Sequence, residues 1–277
     1  MIHRARVVVG LIAVLVAGAA SGEPRVQLPD SARQGGLLMG QAPAGSRVVH
    51  DGYELAVGEP GRFVVGLDRD APRRIKLRIQ LPDGGERVRT IDVAQRDYDV
   101  QRIDGLPEEQ VSPRSEELLA RIREEAAQVR QARQRHDGRS DYLSGWQWPV
   151  TGRISGIYGS QRILNGKPRQ PHYGIDIAVP TGTPVKAPAD GVVSLVHDEM
   201  FFSGGTLMLD HGQGLSSTFL HLSRIRVEAG QRVTRGDIIA EVGATGRVTG
   251  AHLDWRMSWF DRRVDPTQVV GPMPKED

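Results

Sequence analysis

Apolar and polar residues alternate with period two through most of this chain, and the step changes to three and four residues in one stretch only. Ile75, Leu77, Ile79 and Leu81 alternate with polar neighbours, Pro82-Asp83-Gly84-Gly85 supplies a turn, and Val88 to Val93 returns, which predicts a β-hairpin. A shorter hairpin is predicted between Arg47 and Val57, where Asp51-Gly52 suits the positive φ angles of a type I′ turn. Residues 23–105 therefore read as a small β-sandwich, an accessory domain with no acid/base pair, nucleophile elbow or metal spacing. His50, beside a hairpin tip, reads as an ordinary surface histidine.

The period changes at residues 112–136. Leu118, Leu119, Ile122, Ala126 and Val129 recur at helical steps, Ser112 is a candidate cap, and Pro113 suits a first turn. The apolar stripe is narrow and bordered by Glu117, Arg121, Glu124 and Arg130, so this helix of about six turns is expected to connect two domains along a surface. Residues 136–144 are polar and predict loop. From Gly145 to residue 270 short apolar runs return between Gly, Asp and Pro: Val192 to Val196, Gly205 to Leu209, Ser217 to Leu222 and His252 to Trp259. The expectation is a mainly β protein whose C-terminal half is an antiparallel fold carrying its active groups on strand ends and loops.

Composition narrows the class. With 277 residues, 39% hydrophobic and 25% charged, the chain is neither a disordered tail nor a polytopic membrane protein. Residues 1–22 read as a signal peptide: Arg4 and Arg6, then the apolar run Val7 to Val16, then small residues from Ala17 to Gly22. An uncleaved anchor is the alternative, although the run is short for a span of about 20 residues. Export to the periplasm or cell envelope follows. Without that segment 34 basic residues face 34 acidic ones, so the charge balance gives no reason to expect nucleic acid. With no cysteine, no disulfide staple is available in that compartment, and stability must come from packing, with a metal as an optional addition.

Candidate chemistry gathers in three places in the C-terminal half. His172 precedes Asp176 by four residues, His221 stands in Thr-Phe-Leu-His-Leu-Ser, and His252 precedes Asp254 by two. On a straight strand His172 and Asp176 would be about 13 Å apart, so joint action needs a bend, for which Gly174 offers the backbone freedom. A turn in which Asp176 holds backbone donors is the plainer reading of that pair. His252 and Asp254 would share one strand face, with Leu253 and Trp255 on the other. His221 would turn away from buried Leu220 and Leu222, and His197 and His211 read as structural. Ser216 and Ser217 lack a Gly-x-Ser-x-Gly elbow, which argues against a serine hydrolase.

Three runs, WPVTGRISGIYGSQRILNGKPRQPHYGIDIAVPTGTPVKAPADGVV, LDHGQGLSSTFLHLS and VEAGQRVTRGDIIAEVGATGRVTGAHLDW, resemble in order and spacing the lysostaphin-type (LytM-like) zinc metallopeptidases over about residues 146–268. The resemblance implies a lysostaphin-type fold for residues 145–270, Zn2+ as cofactor, and hydrolysis of the peptide cross-links of peptidoglycan. It also implies metal ligands at His172 and Asp176, and catalytic groups at His221 and His252. The third ligand, the second histidine of the family's His-x-His, falls on Asp254. A carboxylate is an acceptable zinc ligand, but it neutralises more of the ion's charge than an imidazole does, so weaker Lewis acidity is expected. The expected partners are peptidoglycan stem peptides and another envelope protein at the N-terminal domain. A competing reading is a silent member of the fold that binds peptidoglycan or activates another hydrolase. A lipoyl-type carrier is suggested by the Gly-rich half-hairpins, but Lys167, Lys186 and Lys275 lie in no Met-Lys-Met setting.

Overall fold

The computed structural model describes residues 26–274, so the proposed signal segment lies outside the described residues. The protein is mainly β, as the alternation predicts. In the N-terminal part, five strands run in the order Ser31–Arg33, Glu86–Ala94, Arg74–Gln80, Arg47–His50, Tyr53–Ala56, and a separate hairpin pairs Leu37–Gln41 with Arg62–Gly66. Asp51 and Gly52 both take positive φ, at 48° and 87°, which is what the tight hairpin demands. Ile75, Leu77, Ile79 and Ile91 line the inner face.

The C-terminal sheet is antiparallel throughout its main path: Arg232–Val233, Gly191–Met200, Gly204–Asp210, Leu215–Ile225, Leu253–Trp259, Gly174–Ala178, Arg153–Gly156. Leu253, Trp255, Met257 and Trp259 alternate onto its core face and are fully buried. Their partners, Asp254, Arg256 and Ser258, therefore share the opposite face. One apolar cluster runs unbroken from the N-terminal strands into this sheet. Tyr53 stacks on Phe260 at 4.4 Å, Arg96 pairs with Asp265 at 2.7 Å, and Arg262 pairs with Asp68 at 2.9 Å across the junction. His50 belongs to this junction, half-buried and 6.2 Å from Trp259, rather than to open surface.

The helix starts later than its sequence signals suggest. Glu116–Arg133 is the helix, capped by Ser115, whose Oγ accepts from Leu118 N at 3.1 Å. Ser112 instead ends a four-residue helix, Glu108–Val111, and its Oγ accepts from Lys167 and Arg169. Two serines three residues apart compete for the cap; the Ser112 hydroxyl is taken by Lys167 and Arg169, and Ser115 caps instead. The long helix lies against the hairpin formed by Gly191–Met200 and Gly204–Asp210, where buried Glu125 accepts from Phe201 N at 2.9 Å. Within residues 136–144, Asp141–Ser144 forms one 3-10 turn that buries Tyr142, whose ring supplies the apolar surface a loop would lack.

Candidate functional site

Asp176 and Asp254 are direct cross-strand partners on adjacent strands, Gly174–Ala178 and Leu253–Trp259. Both carboxylates are buried, an arrangement that repels unless a cation intervenes. His172 completes the group: one ligand atom from each of His172, Asp176 and Asp254 lies within 4.8 Å of the others. His172 Nε2 sits 3.1 Å from Asp176 Oδ1 without hydrogen-bond alignment, and both atoms are buried with no hydrogen-bond partner among the described residues. Two orphaned buried donor atoms facing each other are costly in a metal-free protein and are the atoms a divalent cation would satisfy.

Glycines make the space. A Cβ on Gly156 would lie 2.2 Å from Asp176 Oδ2, and one on Gly174 would lie 2.5 Å from both Asp254 Oδ1 and Arg256 Cγ. Gly174 is an ordinary strand residue without positive φ, so its role is close approach rather than the bend expected from sequence. The bend falls earlier, where His172 N donates to Ser160 O and His172 O accepts from Gly159 N.

Arginines neutralise the carboxylates. Arg162 Nη2 reaches Asp176 Oδ2 at 2.8 Å, and Arg256 reaches both oxygens of Asp254, at 2.6 and 3.0 Å. Burial alone would raise the Asp254 carboxyl, but Arg256, His172 and His221 hold it far below the usual carboxylate range. Burial and Asp254 push Asp176 up, and His172 with Arg162 brings it down below its ordinary value. Neither arginine was singled out by sequence, although Arg256 follows Asp254 by two and must share its strand face.

His221 and His252 stand beside this group with ring centroids 4.8 Å apart. Leu220 is the cross-strand partner of Asp254, so plain alternation would place His221 on the core face. A left-handed backbone at His221, φ 65°, breaks the alternation beside a register shift and returns the imidazole to the site; such a conformation costs on the order of 1–3 kcal/mol. His221 is buried rather than merely turned away from Leu220 and Leu222. Its Nδ1 lies 2.8 Å from Thr245 O, and His252 Nδ1 lies 2.9 Å from Gly250 O. A carbonyl only accepts, so Nδ1 carries the proton in each ring and Nε2 is the free acceptor. Burial is the main cause that brings His221 down to about 4, keeping it neutral near pH 7.

His211 and His197 lie outside the site. His211 is bonded by Asp190 O and Ser217 Oγ, at 2.7 and 2.9 Å, and His197 Nδ1 accepts from Glu199 N.

Residues 170–266 match the model of peptidase family M23. A solved candidate M23 peptidase from Pseudomonas aeruginosa is 34% identical, covers 86% of this chain and 94% of its own, and superposes with a TM-score of 0.68. This chain belongs to peptidase family M23. Among curated relatives, the Vibrio cholerae peptidoglycan DD-endopeptidase ShyA is 35% identical over 161 residues, 56% of this chain and 37% of that protein. A Haemophilus influenzae protein named as an uncharacterized metalloprotease is 40% identical over 124 residues, 45% of this chain and 23% of that protein. The chain thus spans well under half the length of these two curated relatives.

Proposed function

We propose that this M23 protein is a zinc-dependent endopeptidase that hydrolyses peptide cross-links of peptidoglycan in the cell envelope. The carrying observation is the convergence of His172, Asp176 and Asp254, with His172 Nε2 and Asp176 Oδ1 buried and unpartnered, beside two histidines whose Nε2 atoms are free. His172, Asp176 and Asp254 would hold the ion. When bound, zinc supplies a Lewis acid that polarises the scissile carbonyl and lowers the pKa of water. His221 and His252, each with Nδ1 held by a carbonyl, present Nε2 to take a proton from the attacking water and return it to the departing amine. Thr245 O and Gly250 O fix which nitrogen does this. The peptidoglycan substrate is supported by the relative ShyA, a peptidoglycan DD-endopeptidase. Export rests on the N-terminal sequence; among the described residues no helix is long and apolar enough to cross a membrane. The division into an accessory β-sandwich, a connector helix and a peptidase domain belongs to the same reading.

A second reading has a specific observation behind it. Arg256 engages both oxygens of Asp254 and competes with any cation, which favours a weak metal site and a protein that binds peptidoglycan or activates another hydrolase. Zinc content and digestion of purified sacculi, compared for the natural protein, Asp254→His and Asp254→Ala, separate the two. The enzyme reading expects zinc and cleavage in the natural protein and loss of both in Asp254→Ala. Activity gained only in Asp254→His would establish the binder instead.

A further inference from the structure

Around the centre, two carboxylates face three guanidinium groups. Asp176 is matched by Arg162 at 2.8 Å and Asp254 by Arg256 at 2.6 Å. Arg247 is the third, and no carboxylate among the described residues pairs with it. It lines a cavity of about 160 Å³ together with Asp176, His221, His252 and Arg162. Its protein partners are Gln110 O, which accepts from Nη1 at 3.0 Å, and the face of Phe202, 4.5 Å below its Cζ. Five N–H donors sit on a guanidinium, so most of its capacity has no protein acceptor among the described residues. Burial lowers it to about 10, and Arg162, Arg256 and Arg169 add to that shift. It remains a cation at neutral pH, held among other cations. Gln110 O takes one donor and the Phe202 face takes one side of the plane, so the remaining N–H edge is left for an acceptor that the described residues do not supply.

We propose that Arg247 is a specificity residue that binds a free carboxylate of the peptide substrate beside the bond presented to His221 and His252. Resting on the endopeptidase reading, this names its substrate class: peptides bearing an anionic group next to the scissile bond. A planar guanidinium meets a carboxylate with two parallel hydrogen bonds, and the stacked Phe202 ring fixes its plane in advance. The cavity has room for a carboxylate. The cation excess left by the paired charges supplies the field that draws it in.

The test uses three synthetic peptides of one sequence: one with a free terminal carboxylate and an acidic side chain, one amidated at the terminus, and one amidated at the side chain. Binding to the zinc-free full-length protein is read by fluorescence anisotropy. Hydrolysis is read separately on zinc-loaded protein. The wild type should bind one of the two amides about 10- to 100-fold more weakly than the acid; which amide it is identifies the carboxylate's source. Arg247→Gln, which keeps a donor for Gln110 O, should erase that gap, and Arg247→Lys should keep part of it. Equal affinities in the wild type, or an undiminished gap in Arg247→Gln, overturns the proposal. Should Arg247→Gln not fold, salt decides: the wild-type gap should shrink between about 0.05 and about 0.5 M NaCl, and a salt-independent gap overturns the proposal. Because binding is measured without zinc, a peptide that shows the gap yet is never cut leaves the carboxylate site standing while the hydrolase reading falls.

Discussion

Arg256 closes on Asp254 from two residues along the same strand, Nε to Oδ1 at 3.0 Å and Nη2 to Oδ2 at 2.6 Å. The proposed third ligand is thus not a bare carboxylate but half of an ion pair. Removing the arginine leaves Asp176 and Asp254 opposed across two strands, with Arg162 on Asp176 as the remaining guanidinium pair. Arg256→Gln should lower the stability of the zinc-free protein by about 2–3 kcal/mol, less than for a fully buried pair because Arg256 is partly exposed. The same change frees Asp254 for a cation, so zinc should raise the melting temperature more in Arg256→Gln than in the wild type. A zinc-induced shift no larger than the wild type's would show that Asp254 does not take part in metal binding.

Much of this was legible in the sequence, and what was not has physical causes. Period-two alternation in Ile75 to Leu81 and in Leu253 to Trp259 gave strands and faces, because a strand that buries one side has no other economical pattern. The clusters His172/Asp176 and His252/Asp254 were visible as motifs. Their charge compensation was half visible: Arg256 shares a strand with Asp254, whereas Arg162 and Arg247 arrive from loops and a short hairpin that only the fold brings near. His221 escaped alternation because a single left-handed residue resets the faces, and nothing in Leu-His-Leu marks it. Ser112 and Ser115 are equivalent as caps until Lys167 and Arg169, 50-odd residues away, claim the first.

Gly174 is a packing requirement of the site. A methyl group there would sit 2.5 Å from Asp254 Oδ1 and 2.7 Å from Trp255 O, and the backbone oxygen cannot swing aside. Gly174→Ala should cost about 1–3 kcal/mol of stability by overpacking. It should also lower zinc affinity at least tenfold by displacing Asp254, measured by competition with a chromogenic chelator. Unchanged affinity would place Asp254 outside the ligand set.

Gly66 performs a similar service at the junction between the N-terminal strands and the C-terminal sheet. Its missing side chain would meet Trp259 Cβ at 2.3 Å and Val264 Cγ2 at 3.0 Å. Both neighbours are fully buried, so neither can move cheaply. Gly66→Ala should destabilise the protein by about 3 kcal/mol in urea unfolding while leaving zinc content per folded molecule unchanged. A shift of less than about 0.5 kcal/mol would mean that the two halves separate easily, and that the continuous apolar cluster is not a rigid interface.

His211 makes stability depend on pH. It is fully buried, and burial is the main cause that brings it down to about 4 from the 6.5 of an exposed imidazole. The folded protein therefore refuses a proton that the unfolded chain accepts. The sign follows from proton counting: above pH 6.5 neither state is protonated and the stability is fully present, whereas between 6.5 and 4 the unfolded state binds more protons and stability falls with pH. The loss approaches the order of 3 kcal/mol at the low end. Zinc-free protein unfolded in urea at pH 7.5, 6.0 and 5.0 should show that decline, with His221 adding to it in the same direction. His211→Gln should be less stable at pH 7.5, because Asp190 O and Ser217 Oγ lose well-placed partners, yet its stability should fall less steeply toward pH 5. A slope equal to the wild type's would show that the imidazole titrates normally, and that the buried neutral ring is not what couples this fold to pH.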